Sequence, residues 1–238
     1  FEAFESRVMT TYKAKYVQFT LFYSCQLNPY LGNLFLHRLI SLFLDSSNHP
    51  LSRQSAVVYL ASLIARGNFI SFQTSKEFLS LLLQWACRYI QQRGQESIPK
   101  GVSLQRVNSG VLDDYKSYLE SATLGAYGKQ GQLLDEYGRK IVSENELSKH
   151  ETFFCCVQAM CYAICFLGIP MAQTMSKDPT EKRNWEIVLN SEFHPLRFCI
   201  QSVRTEFLRI SIAGGLISPT DSLSNTDSLS SNLSIRTN

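Results

Sequence analysis

The sequence predicts an all-α fold in which antiparallel helix pairs stack in series as a solenoid, and three observations predict it. Apolar residues recur three and four apart, as at Tyr12, Tyr16, Phe19, Phe22 and Tyr23, a spacing that builds one face of a helix. Proline, glycine and cap-forming residues punctuate the chain at short intervals, leaving turns that favour antiparallel neighbours. The strand alternative lacks its signal, because β-branched content is modest and period-two alternation is missing. No sequence period is visible, as in HEAT-like arrays, where helix pairing recurs without residue identity.

The elements follow in order. The aromatic spacing predicts a helix over 11–27, ended by Asn28-Pro29, and a second over 31–44. Pro50 reads as the first residue of a third helix, 51–66, which Gly67 ends. Thr74 and Glu77 have capping-box spacing and open a fourth helix, 75–92. Residues 94–150 are rich in Gly, Ser, Gln and charge and read as an insertion. It is expected to be partly disordered, with short amphipathic pieces at 111–119 and 133–142. Ser148 and Glu151 form a second capping-box pattern that restarts order. Helices at 151–167, 180–190 and 196–212 are predicted next, with a loop around Pro170. The expected organisation is helical repeats over 1–93, the insertion 94–150, repeats over 151–213 and a Ser-rich disordered tail, 214–238.

Composition narrows the function. The chain has 238 residues, of which 45% are hydrophobic and 18% charged, enough apolar material for a sizeable core. A net charge of +3 is too weak to indicate nucleic-acid binding by itself. The seven cysteines are odd in number and contain no CxxC pair. Cys155, Cys156, Cys161 and Cys165 fall in an apolar helical run, where cysteine acts as a small hydrophobe, so no metal site is expected and a reducing compartment is. The run from Phe153 to Leu167 is broken only by Gln158. It is shorter than a membrane span and is expected to be buried on all sides. The absence of an initiator methionine predicts a fragment, with any upstream targeting signal out of view.

Catalytic patterns are absent: there is no GxGxxG, P-loop, HExxH or GxSxG string, and no cofactor or small-molecule substrate is expected. His150 precedes Cys155 by five residues, but an apolar run raises a thiol pKa, which argues against a Cys–His nucleophile. Surface is what remains. Arg53, Gln54 and Arg66 on the third helix, with Arg88 on the fourth, are candidate partner-binding residues for an acidic or phosphate-bearing partner, set against a reading as plain solvated groups. The stripe Tyr12, Tyr16, Phe19 and Tyr23 reads as core packing, with base stacking as the alternative. In the tail, Ser218 and Ser224 have an aspartate three residues on, a spacing suited to phosphorylation; the alternative is an inert end.

Two strings add a resemblance. Lys15 to Cys25 (KYVQFTLFYSC) and, more diagnostic, Arg53 to Ile70 (RQSAVVYLASLIARGNFI) resemble the RNA polymerase I-specific transcription initiation factors of the TIF-IA family. Trp85 to Ile90, Thr152 to Phe166, and Asn184 to Ser211 with its His194–Cys199 core look similar in the same order. The resemblance implies a non-enzymatic HEAT-repeat scaffold in the nucleus and nucleolus. It would bind RNA polymerase I and bridge it to the promoter-bound selectivity or core factor, with ribosomal DNA promoter sequence as a further candidate partner. It also implies N-terminal repeats and C-terminal helices with an acidic segment that this chain does not carry, and a shorter insertion. A generic HEAT-type adaptor of trafficking or nuclear transport would share the fold without the second string.

Overall fold

The computed structural model describes residues 1–9, 17–93 and 144–218. Among them every regular element is helical. A π-helical turn, Phe4–Val8, precedes α1 (Val17–Leu27), α2 (Pro29–Leu44), α3 (Pro50–Arg66) and α4 (Phe72–Arg93). After the undescribed residues come α5 (Glu144–Lys177), α6 (Pro179–Leu189), a 3₁₀ turn at Pro195–Arg197, and α7 (Gln201–Ala213). The amphipathic pieces expected at 111–119 and 133–142, Tyr12 and Tyr16 of the aromatic stripe, and the chain beyond Ser218 lie outside the described residues.

Punctuation residues act by identifiable bonds. Asn28 Oδ1 accepts from the backbone N–H groups of Tyr30 and Leu31 at 3.1 and 3.3 Å, so the residue that ends α1 also caps α2. Pro29 then occupies the first turn, where its missing N–H costs nothing. His49 Nδ1 accepts from Leu51 N ahead of α3, and Asp178 Oδ1 accepts from Thr180 and Glu181 ahead of α6.

Five expectations need correction. The cap of α4 is Ser71, not Thr74: Ser71 Oγ accepts the Thr74 N–H at 3.0 Å, which moves the start three residues upstream. Order does not restart at Ser148, because α5 is already helical from Glu144. The expected loop around Pro170 is helical. Gly168, at φ 72°, breaks the ladder as its flexibility suggests, but Pro170 stands in the first turn of a new segment that runs to Lys177. Pro195 opens a short 3₁₀ turn, and α7 starts later, at Gln201. Residues 214–218 are no free tail: Leu216 and Ile217 donate backbone hydrogen bonds to Ser211 O, and both side chains are buried.

The array is a HEAT-like series of packed helices. α1 lies on α2, α2 on α3, and α3 runs along α5, which contacts α4, α6 and α7 in turn. The resulting core contains Phe43, Leu60, Leu63, Phe153, Cys156, Ile164, Trp185 and Phe207, each excluded from water. Each such side chain contributes about 1.5–3 kcal/mol relative to exposure. α7 comes so close to the segment after Gly168 that a Cβ on Gly214 would meet the Ala172 Cβ at 2.5 Å. Gln158 interrupts the apolar run for a reason: its Oε1 accepts the Ile200 N–H at 3.0 Å, satisfying a backbone donor that precedes α7.

Span Lys149–Lys177 is long and apolar enough to cross a bilayer by length and composition alone. Core packing accounts for that apolarity, since Phe153, Val157, Met160, Ile164, Met171 and Met175 are covered by the protein's own helices.

Candidate interaction surface

The residues expected to face a partner do not form one patch. Arg53 and Arg66 stand near opposite ends of α3, about 20 Å apart along its axis at the rise of an α-helix. Arg53 is turned inward. Its Nε donates to Phe43 O at 2.8 Å, and its guanidinium lies 5.7 Å from the Phe43 ring and 5.7 Å from the Trp85 ring. Burial lowers its pKa from the ordinary arginine value. Gln54 is buried, and its Nε2 donates to Thr152 Oγ1 at 3.4 Å across the α3–α5 seam. Both residues hold helices together, because the turn of α3 that carries them faces α2 and α5 rather than solvent.

Arg66 and Arg88 are exposed. Arg66, in the last turn of α3, donates from Nη2 to Tyr162 Oη at 2.7 Å and lies 5.9 and 5.8 Å from the rings of Tyr162 and Phe166. The two rings are 4.8 Å apart on successive turns of α5. Burial pushes the Tyr162 phenol up, against the pull of the Arg66 charge. Phe166 is 51% exposed and Ile169 36%, so this end of the apolar run is not buried on all sides as expected. Sequence reasoning missed Tyr162, Phe166 and Ile169, because a helix apolar around its whole circumference has no polar face to mark its outside. The four-residue spacing of Tyr162 and Phe166 was the available signal.

Other expected positions are placed as follows. Tyr23, read as core, is 62% exposed, whereas Phe22 beside it is buried against Phe35 and Tyr59; Phe19 is partly buried against the core. Ser218 is exposed at the end of the described residues, and Ser224 lies beyond them. His150 is buried, with Nδ1 2.7 Å from Tyr89 Oη, inside a cluster containing Phe153 and Phe193. All seven cysteines are free thiols, and all but half-buried Cys165 are buried. Burial pushes Cys87 up to about 11 and Cys165 up to about 12, and raises Cys156 and Cys161 well above the ordinary thiol value. Among the described residues no three His, Cys, Asp or Glu side chains converge as a metal set.

Comparison with known proteins agrees along most of the chain. Residues 1–236 match the family model described as RNA polymerase I specific transcription initiation factor RRN3. The RNA polymerase I-specific transcription initiation factor rrn3 of Schizosaccharomyces pombe is 22% identical over 218 residues, covering 88% of this chain and 29% of that protein. The Saccharomyces cerevisiae factor RRN3 is 25% identical over 215 residues, 87% of this chain and 26% of its own length. The Mus musculus factor is 32% identical over 87 residues, 37% of this chain and 13% of its own length. This chain therefore spans less than a third of the length of these relatives. A structure described as the crystal structure of RNA polymerase I transcription initiation factor Rrn3 superposes with a TM-score of 0.63 at 21% identity, covering 94% of this chain and 38% of that one. That likeness speaks for the fold. With the family model matched over residues 1–236, the chain belongs to the family of RNA polymerase I-specific transcription initiation factor RRN3.

Proposed function

We propose that this chain is a non-enzymatic scaffold that binds RNA polymerase I and bridges it to the promoter-bound selectivity or core factor at ribosomal RNA genes. One observation carries the reading: the family match extends through the whole helical array instead of one short motif. A solenoid acts by surface, because each helix pair buries one face on its neighbours and leaves another free. Three of the polar residues inside this one, Gln54, Gln158 and His150, bond to neighbouring segments of the array. In this reading the described helices within 1–93 and 144–218 form one solenoid. Exposed Arg66 and Arg88 belong to the partner surface, and Ser218, followed by Pro219, is a phosphorylation site there. The protein acts in the nucleus, in the nucleolus.

Retention from nuclear extract tests this. The tagged chain is expected to retain RNA polymerase I subunits. Retention of nuclear-transport or trafficking cargo in their place would overturn the reading. Direct contact with promoter DNA would show as binding that falls steeply with added salt.

A further inference from the structure

We infer that the ridge formed by Arg66, Tyr162, Phe166 and Ile169 docks a protein segment presenting a carboxylate beside an aromatic or branched aliphatic side chain. The inference rests on the scaffold reading only in that it supplies a contact surface. Arg66 carries a planar guanidinium with five N–H donors, and Nη2 donates to Tyr162 Oη at 2.7 Å. Among the described residues no carboxylate forms an ion pair with it. The rings of Tyr162 and Phe166, 5.9 and 5.8 Å away, hold the guanidinium in place, so little side-chain freedom remains to be lost on binding. A carboxylate can still engage it in bidentate fashion.

Beside that charge lies uncovered apolar surface on Phe166 and Ile169, 51% and 36% exposed. The backbone beneath is fixed, because Ala163 and Ile164 are fully buried in the core. An arginine and aromatic rings on a rigid support have the composition that dominates binding energy at protein interfaces. The charge count selects protein over nucleic acid. Glu206 and Arg209 on α7, whose charges act on Cys165 of α5, neutralise each other at 2.6 Å. Arg66 is the one cation among the four ridge residues, whereas a nucleic acid needs several phosphates neutralised at once.

The test uses the full 238-residue chain and three synthetic probes. These are an acidic peptide containing phenylalanine, the same peptide with serine for phenylalanine, and a single-stranded DNA oligonucleotide of equal charge. Binding is read from the Ile169 methyl resonance together with fluorescence anisotropy. The first peptide is expected to shift Ile169, to bind about tenfold more tightly than the serine version, and to lose about tenfold with R66Q or F166S. Circular dichroism melts confirm that both variants stay folded, and R66K should recover only part of the loss, since an ammonium cannot pair in bidentate fashion. Equal binding of both peptides, an unmoved Ile169, or preferred binding of the oligonucleotide would overturn the inference. The polymerase reading is untouched by any of these outcomes, because its own test is retention of the polymerase.

Discussion

Arg53 places a guanidinium between Phe43 and Trp85 and spends a donor on the Phe43 carbonyl, so its charge is part of the packing of α2, α3 and α4. R53A is therefore expected to destabilise the fold by about 2 kcal/mol, combining a charged hydrogen bond with cation–π contact. R66A should cost less than about 1 kcal/mol, since its contacts are solvent-exposed. Chemical denaturation of the two variants checks the order, and a larger loss for R66A would contradict this assignment. From sequence the two arginines look alike, each on α3 beside apolar residues; what separates them is which neighbouring helix each meets, a tertiary fact. Cysteine burial, by contrast, was legible, because Cys155, Cys156 and Cys161 lie well inside an apolar run where cysteine packs as a small hydrophobe. It has a pH consequence. Cys87 is raised from 9.0 to about 11, so between those values the unfolded chain has lost a proton that the folded chain keeps. Cys165 and Tyr59, each raised to about 12, act in the same direction. Their contribution to stability is fully present at neutral pH and is lost as the pH rises above about 9. Thermal melts should fall from about pH 8 to pH 10.5, and a rise over that window would contradict the burial of these groups.

The helices themselves were largely legible because their ends carry chemistry readable in one dimension. Asn28-Pro29, Pro50 and Asp178-Pro179 each mark a start through a cap and a proline in the first turn. D178A should cost about 1 kcal/mol, as expected for loss of an N-cap, measured by urea unfolding. An unchanged midpoint would mean that the α6 start is held by packing alone. The loop assigned around Pro170 failed for a physical reason: proline forbids a helix interior but suits a first turn, and only the φ of Gly168 decides which applies. G168A is expected to cost about 1–2 kcal/mol, because alanine pays for left-handed backbone. G214A should be destabilising by a different route, overlap with Ala172, which only a backbone shift relieves. The residues after Gly214 were misread because Ser-rich composition further on hid the short apolar pair Leu216-Ile217, which closes over the end of α7.

At the scale of the whole molecule, α5 acts as the spine: α3 lies along it, and α4, α6 and α7 pack on it. Periodicity and punctuation carry that architecture, so the fold class was legible before any contact was known. The binding surface was not, because exposure at Phe166 and Ile169 depends on where neighbouring helices stop. The proposed scaffold role predicts that the chain recognises RNA polymerase I through shape and a few anchored side chains. The most direct measurement is sedimentation of the purified chain with purified RNA polymerase I and, in parallel, with RNA polymerase II, at physiological salt. Co-sedimentation with polymerase I and not with polymerase II is the predicted result. Failure to associate with polymerase I, or equal association with both enzymes, would contradict the account.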